Sequence, residues 1–294
     1  MKRLLAIVFP ALIGLAVQAQ PDLLVEALRS YQAGDLVKAR VLVDEAVQTP
    51  AHSQDAEAWL LRGFIHKDLF KGMPGGAKAD AVREEALNSL MNSLNLDEAG
   101  TYKDNAVQAY DFLARSFFND AAKALGEQQE DRAVQLFNGY AKATLRRQPG
   151  VSLKAREIEF HNALGTAYTK RFNQQRQDTT WFLKATEAYG HVLALEPDNY
   201  GANYNLATLH YNRGVYNIRA IKAEDDIPAI QRIQEVSRVH FQRALPFMLK
   251  AHELDPQRRE TLLGLEGIYY SLQDQSSSER FRRLFELLPP QNDQ

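Results

Sequence analysis

The stretch Val192–Tyr211, VLALEPDNYGANYNLATLHY, returns in reduced form at His252–Tyr270 as HELDPQRRETLLGLEGIYY. In register, Leu195, Glu196, Pro197 and Leu206 stand where Leu254, Asp255, Pro256 and Leu265 stand, and Tyr211 matches Tyr270. Proline lacks an amide hydrogen and crowds the preceding turn, so each Leu-acid-Pro triplet ends one helix and sets the entry to the next. Around the triplets apolar residues recur at three and four, which is a helical period. The same period runs through the chain beyond Gln20, turn signals come every 12 to 20 residues, and β-branched alternation is absent. No strand is expected.

Further out lies a second pattern, an alanine followed four residues later by a larger apolar residue. It occurs at Ala39 and Val43, Ala86 and Leu90, Ala133 and Phe137, Ala185 and Tyr189, and Ala244 and Met248. Ahead of these stand Trp59-x3-Gly63, His161-x2-Leu164-Gly165-x2-Tyr168, Leu206-Ala207 and Leu262-x2-Leu265-x3-Tyr269. Small side chains let two helices approach to roughly 8–10 Å, and the large residue one turn on fills the space left over. An amphipathic pair of this kind cannot bury its apolar face alone, so successive pairs must stack.

These motifs resemble the tetratricopeptide repeat, a helix-turn-helix unit of 34 residues with the skeleton W-x2-L-G-x2-Y, A-x3-F, P. The two matching prolines are 59 residues apart, one such period plus 25. The fold this implies is all-α: a right-handed superhelix, or α-solenoid, of about six helix-turn-helix units with a C-terminal capping helix. The units fall at about 20–51, 54–100, 101–150, 151–199, 200–258 and 259–288, making one solenoid domain over 20–294. In the last, Ser276-x2-Glu279 has the spacing of a capping box. Phe281, Leu284, Phe285 and Leu288 form one apolar stripe, and Pro289-Pro290 is the stop.

The N-terminus, MKRLLAIVFPALIGLAVQAQ, has a basic start, an apolar run from Leu4 to Val17 and a small-residue site at Val17-Gln18-Ala19. That is the layout of a secretory signal peptide over residues 1–19, cut after Ala19. The run of 14 residues is shorter than the roughly 20 that span a bilayer as a helix, and no later segment could span one. The expected location is the periplasm, with secretion as second choice. A chain with no cysteine excludes disulfides, thiolate metal sites and thiol nucleophiles, and folds in an oxidising space without mispairing. Cutting the leader removes Lys2 and Arg3 and leaves 33 basic against 37 acidic residues, which offers nucleic acid no attractive field.

Three units exceed the family length. In the second, Ala86 lies 27 residues after Trp59, and the excess includes Gly72-Met73-Pro74-Gly75-Gly76. This stretch lacks the Lys-Ser/Thr ending of a phosphate-binding loop and reads as an inter-helix connection. In the fourth, polar residues around Lys170–Trp181 read as a longer turn. In the fifth, Tyr211, Val215, Ile218 and Ile221 continue the first helix, while Ile230, Ile233, Val236 and Val239 lead into the second. Asp225-Asp226-Ile227-Pro228 between them is an acidic helix start with proline in its first turn. Two extra arms of about 12 residues would project roughly 18 Å. This 212–240 hairpin is a candidate contact for a partner or a second copy.

Seven histidines form no H-E-x-x-H and none lies four residues from another, so neither a metal nor any other cofactor is expected. No G-x-S-x-G or S-x-x-K motif occurs, and no catalytic residue is assigned. The resemblance implies an interaction scaffold whose ligand groove is lined by the first helix of each unit. Carried over by position, that lining is Glu57, Leu60 and Phe64 in the second unit, Asn162 and Thr166 in the fourth, Tyr204, Thr208, Tyr211 and Asn212 in the fifth, and Leu263 and Tyr270 in the last. Amide, hydroxyl and aromatic groups suit a peptide held by side-chain hydrogen bonds and ring contacts. The implied partner is a protein or peptide of the cell envelope, serving envelope assembly or secretion. A carbohydrate or small ligand, and an enzyme with carboxylates brought together by folding, are the alternatives.

Overall fold

The computed structural model describes residues 22–289. The leader and its cleavage site lie outside these residues, as do Pro290 and the last four positions. Among the described residues there are twelve α-helices and no strand. The chain divides into two compact units, 1–113 and 114–294, and the division falls inside one helix, α5 (Lys103–Gly126).

In the first unit, α1 (Leu23–Gln32) pairs with α2 (Leu36–Ala46), and α3 (Ala56–Lys71) with α4 (Ala77–Leu96). Aspartates open three of these helices: the side chains of Asp22, Asp35 and Asp55 accept from backbone amides of Leu24, Lys38 and Glu57. A carboxylate there satisfies an orphan donor and suits the positive end of the helix dipole. The α1–α2 turn needs Gly34, whose φ is +81°. Ala27, Ala39, Val43, Leu61 and Ile65 form the core. The glycine-rich stretch 72–76 is the α3–α4 connection, and Gly76 at φ +120° precedes α4.

The second unit continues with α6 (Glu130–Arg147), α7 (Lys154–Gln174), α8 (Thr179–Leu195), α9 (Tyr200–Arg219), α10 (Ile227–Leu254), α11 (Arg259–Ser271) and α12 (Gln275–Glu286). α7 pairs with α8, α9 with α10 and α11 with α12, and α8 also packs on α9 and α10 on α11. α8 and α10 stop one residue before Glu196-Pro197 and Asp255-Pro256, as the triplets require. Ala207, Ala244, Met248, Leu262, Leu265, Ile268 and Phe281 form the C-terminal core, with Leu284, Phe285 and Leu288 of the apolar stripe packed on it.

The alanine pattern marks the helix seams. All five alanines, on α2, α4, α6, α8 and α10, are fully buried, and their large partners are buried as well. A Cβ added at Gly63 would stand 2.6 Å from Leu90, and at Gly165 2.6 Å from Tyr189. Two further close approaches were not marked by the glycine motif: Gly214 lies against Phe241 and Gly139 against Phe117 in the same way.

Three local expectations are corrected. Ser276 does not cap α12. Asp274 does, accepting from the amide of Ser277, while Ser276 Oγ donates 3.0 Å to the same carboxylate. A carboxylate two residues earlier is the stronger acceptor, and Gln273 at φ +63° turns the chain into it. The excess around Lys170–Trp181 is mostly helix: α7 runs to Gln174 and α8 begins at Thr179, capped by Asp178. Ile221 lies beyond the end of α9, so the added length falls mainly on α10, of 28 residues, rather than equally on two arms.

Candidate functional site

The geometry of interest arises from unequal lengths. α9 and α10 have 20 and 28 residues, whereas α11 and α12, stacked beside them, have 13 and 12. The α9–α10 hairpin therefore overhangs its shorter neighbour. Its tip is ordered by local hydrogen bonds: Asp226 caps α10 through the amide of Ala229, with Pro228 in the first turn, and Asp225 accepts from the amide of Lys222.

The step between the two hairpins is a notch of about 940 Å³. Val215 and Ile218 of α9, Phe241 of α10 and Leu272 in the α11–α12 turn supply its apolar surface. Four carboxamides face it, Gln231 and Gln234 from α10 and Gln273 and Gln275 from the opposite side. Positions 231 and 234 are three apart and so share one helix face. Tyr270 stands at the rim, 67% exposed. The charged members are Arg219, Glu235 and Arg238, of which the last two bind each other through two contacts of 3.0 Å. Arg219 has no ion pair or hydrogen bond among the described residues. A surface of this make-up can pair with backbone amides and bury an apolar side chain.

The residues assigned to a groove from sequence are placed as follows. Tyr270 lines the notch. Tyr211 lies behind it, 5.7 Å from the ring of Phe241, with its hydroxyl 2.7 Å from where a Cβ on Gly267 would stand. Tyr204 stacks on Tyr200 at 6.0 Å and packs against the C-terminal core. Thr208 and Asn212 are half-buried, and Leu263 is exposed. Asn162 donates to Asn199 Oδ1 at 3.4 Å, and Thr166 donates to the Asn162 carbonyl at 2.9 Å. In the first unit, Leu60 is buried and Glu57 accepts from the Tyr102 hydroxyl. Phe64 lines a smaller cleft of about 260 Å³ with Lys67, Lys71 and residues of α5. Gln231, Gln234 and Gln273 were not singled out by sequence. The only signal for Gln231 and Gln234 was the length excess of the fifth unit, which gave no face, and Gln273 had none.

Six of the seven histidines are buried or half-buried, and His191 is exposed. His210 and His240 approach with their Nδ1 atoms 3.3 Å apart, and Phe182 meets both rings edge-on. Burial, then the neighbouring His240 and Arg243, pushes His210 down to about 4. His161 lies 4.0 Å from the ring of His191 and edge-on to Phe160, and burial pushes it down to about 4 as well. Among the described residues no three His, Asp or Glu side chains are arranged to hold a metal ion, and no helix is long and apolar enough to cross a membrane.

No family model and no curated protein matches the chain. Among solved structures, one titled a crystal structure of PilW, a widely conserved type IV pilus biogenesis factor, aligns over 92% of this chain and 94% of its own, at 14% identity and a TM-score of 0.38. A monomeric mutant of IFIT1 with Gppp-AAAA aligns over 90% of this chain at 14% identity and a TM-score of 0.34, and only 59% of that chain is spanned. The human IFIT1 dimer with PPP-AAAA gives 13% identity and a TM-score of 0.26.

Proposed function

We propose that this chain is a tetratricopeptide-like scaffold of the bacterial envelope that captures a segment of a partner protein in the notch beside the α9–α10 hairpin. The observation that carries this reading is the notch itself: about 940 Å³ of open, mixed apolar and carboxamide surface, produced by one hairpin outgrowing the next. A stack of equal hairpins has no use for the extra turns of α10. Export is supported by the leader-like N-terminal sequence and by the absence of cysteine from the chain. The partner serves envelope assembly or secretion in this reading.

The test is in-cell photo-crosslinking with the reactive side chain at position 270, and with controls at Gln32 and Leu287, both exposed and outside the notch. The expected result is a discrete adduct from position 270 alone, lost when Leu272→Ser is added. Adducts of the same pattern from all three positions would sink the assignment. A leader cut after Ala19 leaves Gln20 as the first residue, which N-terminal sequencing of the envelope fraction reads directly. A thermal-shift panel of glycans addresses the carbohydrate alternative, since a ligand at 100 times its Kd stabilises by about 2.7 kcal/mol.

A further inference from the structure

From the charge distribution around the notch we infer that its occupant is an extended, acidic polypeptide segment carrying at least one apolar side chain; this rests on the capture reading above. From Arg213 to Arg243 the hairpin holds six basic side chains and four acidic ones, in a chain whose net charge is -2. All four acids are engaged within the hairpin. Glu224 pairs with Lys222, Asp225 and Asp226 accept from backbone amides, and Glu235 binds Arg238. Arg219, Arg232 and Arg243 have no ion pair or hydrogen bond among the described residues. Arg213 spends one N–H on the carbonyl of Arg176, and the guanidinium groups of Arg213 and Arg176 both lie near the ring of Tyr216, at 5.6 and 5.8 Å. A surplus of unneutralised cations on a chain of opposite net charge is an electrostatic complement for an anionic partner.

Only one of the free cations, Arg219, is in the notch, which fixes where an acidic side chain would sit. A guanidinium there can hold a carboxylate through two parallel bonds. Beside it, Ile218 and Val215 offer an apolar seat, and the carboxamides of Gln231 and Gln234 each carry a donor and an acceptor that a backbone can use. The same features disfavour nucleic acid. Single strands need open aromatic faces for stacking, whereas Tyr216 already carries two arginine contacts and Tyr270 stands alone at the rim.

The experiment uses the full-length chain and three rhodamine-labelled, acetylated and amidated peptides in which leucine alternates with glutamate, glutamine or lysine. Fluorescence anisotropy is read at 50 and 300 mM NaCl. The glutamate peptide is expected to bind at least tenfold tighter than the glutamine one and to weaken with salt. R219Q and R219E should each cost tenfold or more with unchanged circular dichroism. R243E, which removes a charge acting on His210 and His240 on the α8 side of the hairpin, should cost less than threefold. Equal binding of the glutamate and glutamine peptides, both lost in Tyr270→Ala, overturns the acidic preference while leaving capture intact. Equal losses in R219E and R243E overturn the notch as its seat. A uridine 12-mer bound with the same dependence on Arg219 overturns the peptide, and a dimer dissolved by R219E in sedimentation replaces it with a second copy. Binding of none of the three overturns it too, and crosslinking at position 270 then decides the capture reading separately.

Discussion

A single methyl group has opposite consequences at two glycines of the α7–α8 hairpin. At Gly165 a Cβ would stand 2.6 Å from the ring of Tyr189, which is itself almost wholly buried and has nowhere to retreat. Gly165→Ala should destabilise the protein by about 1–3 kcal/mol. At Gly190, inside α8, a Cβ meets nothing within 4 Å, so Gly190→Ala should stabilise by about 0.5–1 kcal/mol through helix propensity. Urea denaturation of both variants checks the pair, and a loss at both positions would mean the seam is not where the strain resides. Gly165 was legible because His161, Leu164 and Tyr168 surround it in a repeat-like motif, whereas Gly214 and Gly139 do the same work without one. The histidines add a pH dependence. Half-buried His161 and buried His210 titrate near 4 in the folded chain and near 6.5 when unfolded, so the unfolded chain takes up protons first as pH falls. Their stabilising contribution is complete above about pH 6.5 and is lost toward pH 4. The urea midpoint should drop between pH 7.5 and pH 5, and His161→Phe, placed against Phe137 and Phe160, should flatten part of that drop.

At the scale of helices, boundaries depend on which oxygen reaches the first free amides. The sequence offered Ser276 with Glu279 for α12, and the chain uses Asp274. Asp274→Ala should therefore cost about 1 kcal/mol, and Ser276→Ala, which removes only a hydroxyl donated to that carboxylate, a few tenths at most. Similar costs for the two would restore the capping box. Asp226→Ala should likewise fray the N-terminal turns of α10 and speed amide exchange there, with little change in the C-terminal core. Proline stops were legible because the missing amide hydrogen acts locally. The extension of α7 to Gln174 was not, since Gln and Arg are good helix formers that look like a polar loop until a cap such as Asp178 shows where the next helix starts.

For the molecule as a whole, the all-helical class and the serial pairing followed from period, alanines and prolines, because each expresses a contact between neighbours. The notch did not, because it is a difference between two hairpins and belongs to neither sequence. The division at residues 113 and 114 falls within the uninterrupted helix α5, so no glycine or proline announces it. Within the second unit, helices that pack are consecutive or next but one in order. That arrangement makes the C-terminal unit behave as a spring with numbered coils. Drawn out from its C-terminal end by an optical trap, it should yield hairpin by hairpin. The α11–α12 pair, 259–289, would release roughly 100 Å of contour, and the α9–α10 pair, 200–254, roughly 190 Å, at about 3.4 Å per residue. A segment clamped in the notch would tie those two coils together, and the two steps would merge into one longer rupture.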